Sequence, residues 1–127
     1  MSKYAQAAVD TVRRNQGKNS PDMRQEWDKT MVEYFPGKKP SREKGCPRNA
    51  FLGLSEEGRI IGIPAGNYGV RKGNVNKRYA IDATRFLQAG GKSEKNQLWA
   101  AVTDAKKTQN HQMEIVLALL REGMLKV

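Results

Sequence analysis

Apolar residues return at the spacing of a helical turn through most of this chain, and the breaks between the runs fall on proline and glycine. That combination points to helices packed on helices. Tyr4, Ala8 and Val12 share one stripe of a helix over residues 3–15, with Arg13 and Arg14 near its favourable C-terminal end. Gln16-Gly17-Lys18-Asn19 stops it. Ser20-Pro21-Asp22 starts the next, with serine as the cap, proline at the first helical position and an acid in the first turn. Met23, Trp27, Thr30, Met31 and Tyr34 align along this second helix to about Phe35, where Pro36-Gly37 breaks it.

A basic loop, Lys38 to Gly45, leads to a short third helix from Pro47 to about Glu57. Ala50, Phe51 and Leu54 face inward there, and Gly58 is available for a left-handed cap. Residues 59–63 are β-branched and extended in character, and Pro64 to Gly73 form a long irregular loop. A fourth helix runs from about Asn74 or Val75 to Ala89, carrying Val75, Tyr79, Ala83 and Phe86, and Gly90-Gly91 ends it. Ser93 caps a fifth bearing Leu98, Trp99, Val102 and Ala105. The sixth, from about Asn110 to Glu122, buries Met113, Val116, Leu117 and Leu120 before Gly123. The expected fold is all-α: a compact bundle of about five to six helices in a single domain over residues 1–127. It carries one short extended, glycine-rich basic segment at about residues 59–73.

Several classes are excluded. One cysteine and one histidine give neither a disulfide framework nor a zinc or iron–sulfur ligand set. The longest apolar run, Ile115 to Leu120, is far short of a membrane span. The start of the chain lacks the pattern of a secretory leader. A cytoplasmic protein without cofactor or metal is expected.

The charge is large and uneven. Of a net +10, residues 1–35 contribute six Lys/Arg against five Asp/Glu, and residues 80–127 seven against five. Residues 36–79 hold ten against three, a local net of +7. Crowded like charges repel, and a polyanion would offset that cost. The leading expectation is therefore a basic module that contacts the phosphate backbone of DNA or RNA. Lys38, Lys39, Arg42, Lys44 and Arg48 form one wall, and Arg71, Lys72, Lys77 and Arg78 the other.

The loop Gly66-Asn67-Tyr68-Gly69 adds detail. Its glycines allow backbone N–H groups to approach a phosphate, Arg71 and Lys72 supply charge beside it, and Tyr68 is placed to stack on a base. Its GxxG spacing is shared with RNA-binding KH domains, but a KH fold needs a three-stranded sheet that this chain does not offer. The competing reading is that Pro64, Gly66 and Asn67 only shape a turn and Tyr68 packs on the core. Gly91-Lys92-Ser93 lacks the first glycine and the strand of a P-loop, and caps a helix instead. Cys46, flanked by Lys44 and Arg48, has the setting of a reactive thiol but reads first as a structural residue. His111 reads as a capping or surface residue, and Glu56-Glu57 as a solvated helix end.

The run Lys44-Gly45-Cys46-Pro47-Arg48-Asn49-Ala50-Phe51-Leu52-Gly53-Leu54, continuing to Gly62-Ile63-Pro64-Ala65-Gly66-Asn67-Tyr68, resembles the signature of a small family of bacterial and phage proteins of unknown function. The resemblance extends along most of the chain, including Met-Ser-Lys-Tyr at its start. It implies a bacterial or mobile-element setting and brings no activity or cofactor. Ser55 stands where the family suggests a second cysteine, so no role resting on a cysteine pair carries over.

Three functions compete. After nucleic-acid binding comes a small phage-type or mobile-element protein whose basic face docks on and modulates another protein, one that itself handles nucleic acid or presents an acidic surface, and last an enzyme using Cys46. The Gly66–Lys72 loop is expected to lie beside Lys44 and Arg48, pooling the basic residues on one face and favouring the first function. If the two groups lie apart, the charge is distributed and solubility is the better explanation.

Overall fold

A computed structural model describes residues 2–103 and 107–127. Among these, the helices are α1 (Lys3–Asn15), α2 (Met23–Tyr34), α3 (Lys39–Arg42), α4 (Gly45–Glu56), α5 (Val75–Gln88), α6 (Lys95–Val102) and α7 (Gln112–Arg121). The fold is all-helical, as the periodicity requires. α4 lies at the centre, packed on α5, α7 and α2, while α1 closes the bundle against α2 and α7. Trp27 stacks on Phe51 with ring centroids 4.8 Å apart, and both are fully buried together with Met23, Leu52, Leu54 and Met113. No helix among the described residues is long and apolar enough to cross a membrane.

Several boundaries differ from the sequence expectation. The cap of α2 is Asp22, whose carboxylate accepts the Gln25 N–H at 3.2 Å, so Ser20 and Pro21 fall outside the helix. The supposed basic loop contains α3, with Pro40 at its second position, where a missing N–H removes no helical hydrogen bond. α4 begins at Gly45 rather than Pro47. Proline sits third, still within the first turn, whose amides have no partner inside the helix. Glu94 rather than Ser93 caps α6, and Ala105 lies outside the described residues. His111 caps α7 in a left-handed conformation at φ 68°, while the Gln109 side chain accepts the Met113 N–H at 2.9 Å.

The extended stretch after α4 makes a single antiparallel bridge, Ile60 to Leu125, and no longer strand. Ile61 N–H donates to Met124 O at 2.7 Å, and Lys126 N–H to Arg59 O at 2.8 Å. Gly58, at φ 67°, reverses the chain out of α4 as expected. The chain then passes the end of α1, where Gly17 N–H donates to Gly62 O at 3.0 Å. This detour fixes where the glycine-rich loop returns.

Candidate nucleic-acid interface

The reversal at Pro36-Gly37 lays α3 and the start of α4 beside the first turn of α1. The Tyr4 hydroxyl donates to Ser41 O at 2.8 Å. The Tyr4 ring lies 4.8 Å from Phe35 and 4.8 Å from His111, centroid to centroid, so three rings from three parts of the chain form one row. Two ammonium groups rest on that row. Lys3 Nζ is 5.6 Å from the Phe35 centroid, and Lys44 Nζ is 5.9 Å from that of Tyr4. Arg42 donates to Phe35 O at 3.2 Å. Arg42 and Arg48 both line a cavity of about 240 Å³ with Asp28, Val32 and Glu43, and the Arg48 Nε is buried without a hydrogen-bond partner. Lys38 and Lys39 stand exposed at the start of α3.

Among the described residues, none of Lys3, Lys38, Lys39, Arg42, Lys44 and Arg48 has a carboxylate within ion-pairing distance. Lys44 is also the N-cap of α4, which has no side-chain cap and no acid in its first turn. A cation at the positive end of a helix dipole is unfavourable in isolation. The sequence marked this wall; it missed Lys3 and the aromatic row, whose members lie far apart in the chain.

The second wall is built differently. Glu56, expected to be solvated, has a side chain only 7% exposed. One carboxylate oxygen accepts the Lys77 ammonium at 2.8 Å, and the other accepts the N–H groups of Tyr68 at 2.7 Å and Val70 at 3.2 Å. Burial alone would raise its pKa. The Lys77 ammonium and the two amides outweigh burial and hold the carboxyl below its ordinary value. The absence of charged residues from Ala50 to Ser55 was the available signal, since a helix apolar on most sides is buried and carries its last residue inward.

Glu56 thereby turns the glycine-rich loop inward. Gly66 N–H donates to Glu56 O at 3.1 Å, and Gly69 N–H to Asn67 Oδ1 at 2.9 Å. With Tyr68 and Val70 already held, most of the amides expected to cradle a phosphate are engaged by the protein. Tyr68 is half-buried and tied down, its hydroxyl donating to Pro64 O at 2.6 Å and its carbonyl accepting Arg24 Nε at 2.8 Å. Asn67 shapes the turn, as the competing reading had it. Arg24, which also donates to Gly69 O at 2.9 Å, is a clamp the sequence did not reveal.

Beyond the loop, Arg71, Lys72, Lys77 and Arg78 line a groove of about 400 Å³ beside α5, with Val70 and Ile81 as its apolar part. Lys77 pairs with Glu57 at 3.1 Å as well as with Glu56, and burial, which lowers its pKa, is outweighed by these two carboxylates. Arg78 lies over the Tyr79 ring at 5.5 Å. The two walls are thus separate. Lys44 precedes the first residue of α4, whereas Glu56, which holds the loop, is the last. Twelve residues put about 18 Å of helix between those ends. The expected placement of the Gly66–Lys72 loop beside Lys44 and Arg48 is therefore corrected. The chain crosses to Gln16 and Met124 after Gly58, and the buried carboxylate draws it back to the far end of α4.

Cys46, in the first turn of α4, is a half-exposed free thiol. His111 interacts with Glu114, its Nδ1 3.2 Å from a carboxylate oxygen, as well as with Tyr4. Among the described residues no group of three His, Cys, Asp or Glu side chains could hold a metal ion. No curated protein and no solved structure matches the chain. One family model does, over residues 1–126, which is nearly the whole length. On that match the chain belongs to a family of unknown function, DUF6979.

Proposed function

We propose that this protein binds nucleic acid by its phosphate backbone, through the wall formed by Lys3, Lys38, Lys39, Arg42, Lys44 and Arg48. One observation carries the reading: these cations gather on one surface with no paired carboxylate among the described residues, around a helix start that already repels them. Solubility alone requires no such gathering. Elsewhere some cations are paired, as Arg13 is with Glu122 and Arg14 with Glu33, and others, such as Lys18 and Lys92, are exposed without an ion pair among the described residues. Lys38 to Arg48, by contrast, crowd five cations into eleven residues. Phosphates placed there relieve the mutual repulsion and meet the α4 dipole with the favourable sign. Contact of this kind positions a strand without reading its sequence.

The walls lie apart, the arrangement for which solubility is the better explanation. We take that explanation for Arg71 and Lys72 and confine the proposal to the first wall, where five cations crowd into eleven residues. The α5 groove, where Val70 and Ile81 lie among Arg71, Lys72 and Arg78 while Glu57 and Asp82 offset Lys77 and Arg85, favours a second reading there: an acidic segment of another protein, in keeping with a phage-type modulator.

The test compares two variants by fluorescence anisotropy with a labelled oligonucleotide at low salt. Replacing Lys38, Lys39 and Lys44 together by glutamine is expected to weaken binding at least about tenfold. Replacing Arg71 and Lys72 is expected to weaken it less than about twofold. Equal losses would return the binding surface to the whole basic segment, and no binding by the parent protein would end the proposal.

A further inference from the structure

We infer that the nucleic acid taken by this wall is single-stranded, with an unpaired base stacking on Phe35 or on His111, the two rings that flank Tyr4. The inference rests on the proposed backbone binding and adds the form of the strand. Three rings in contact at 4.8 Å, with the Lys3 and Lys44 ammonium groups on Phe35 and Tyr4 and neither ion-paired among the described residues, are the two parts of a single-strand surface, a stacking platform and a charged track. The Glu114 carboxylate beside His111 makes the Phe35 side the more favourable for a phosphate. A duplex keeps its base faces stacked inside and can use only the charge. A single strand uses both.

The row has two accessible ends. Tyr4, in the middle, is 7% exposed and fixed by its hydroxyl to Ser41, so it serves as the support. Phe35 is half-buried, and the His111 side chain is 30% exposed. The Phe35 ring carries the Lys3 ammonium, an exposed side chain with no carboxylate partner, 5.6 Å from the centroid. Such a contact at an exposed site is weaker than a stacked base, so a base can displace the ammonium. The freed ammonium stays within reach of the phosphate on the same nucleotide. Lys44 stands in the same relation to Tyr4, which places cations along the row.

The experiment titrates the full chain into labelled oligothymidylate of roughly twenty nucleotides, and into the same strand paired with its complement, at about 50 mM salt. Single-strand binding tighter by about tenfold, the yield of one well-stacked base, is expected. Phe35→Leu keeps an apolar contact and removes the ring. It should weaken single-strand binding about fivefold or more and duplex binding less than about twofold. Because Phe35 also packs against the core, His111→Ala is the second variant, with the same split expected and folding checked by circular dichroism. Duplex binding as tight as single-strand binding, or losses in both variants that are equal on the two forms or absent from both, would overturn the inference and leave backbone binding standing. No binding of either form would overturn both.

Discussion

Lys77 reaches from the first turn of α5 to the buried Glu56 carboxylate at the end of α4, 2.8 Å away, while the same carboxylate holds the amides of Tyr68 and Val70. A single ion pair therefore fixes two helices and the loop between them. The two helices also meet closely beside it: a methyl group built on Gly53 would stand 2.9 Å from the Lys77 Cα. The pair is shielded from water, with side chains 7% and 25% exposed, so it lies outside the near-zero range of surface ion pairs.

Glu56→Gln keeps the shape and removes the charge. The one amide oxygen can keep either the two loop amides or Lys77, and the NH2 group then faces the donors that remain. The expected loss is about 2 kcal/mol, within the range for hydrogen bonds to charged groups. That corresponds to a melting point lower by roughly 6–10 °C for a chain of this size. Hydrogen exchange at Tyr68 and Val70 should quicken more than at Trp27. A change under about 0.5 kcal/mol in urea unfolding would show that the pair only tolerates its burial.

The same pair sets a pH dependence. Glu56 has a folded pKa below its ordinary value, so its contribution is complete above that ordinary value and is lost as pH falls through the folded one. Lys77 has a folded pKa above its ordinary value, so its contribution is complete below the ordinary lysine value and is lost as pH rises through the folded one. Stability measured against pH should fall on the acid side below about pH 4.5, the unfolded carboxyl range. Glu56→Gln should have a shallower acid limb. Parallel curves for the two proteins would contradict this assignment.

Gly53→Ala isolates the helix crossing. Alanine improves helix propensity by about 1 kcal/mol at a solvent-facing position. Here the added carbon meets the Lys77 backbone at 2.9 Å and its Cβ at 2.7 Å, and a helix backbone cannot move aside as a side-chain tip can. Overpacking of this kind costs about 1–3 kcal/mol, so a net loss of about 1–2 kcal/mol is expected. Urea unfolding measures it, and a variant more stable than the parent would mean that α5 shifts freely on α4.

The helices were legible because their stripes are local: Tyr4, Ala8 and Val12, or Met23, Trp27 and Met31, announce a face within a few turns. Gly58 and Gly123 likewise announced stops, and both have positive φ. Five of the six cations of the first wall were legible because they crowd within eleven residues, Lys38 to Arg48; Lys3 was not. Their aromatic support was not, since Tyr4, Phe35 and His111 meet only through tertiary packing. Glu56 was misread for a similar reason. A carboxylate at a helix end is ordinarily solvated, and its burial depends on partners at Tyr68, Val70 and Lys77 that the local sequence does not bring near. The glycine-rich loop misled in turn, because glycines that free an amide for a phosphate serve equally well to free it for an internal carboxylate.

The most direct test of binding through the first wall is the salt dependence of affinity for a single-stranded oligonucleotide. If about four phosphates are neutralised by the Lys38–Arg48 wall, log K should fall against log salt with a slope of about −3. Glutamine at Lys38, Lys39 and Lys44 together should bring that slope to about −1, with the melting temperature little changed. A slope near zero in the parent protein, or one that the triple replacement leaves unchanged, would contradict the account.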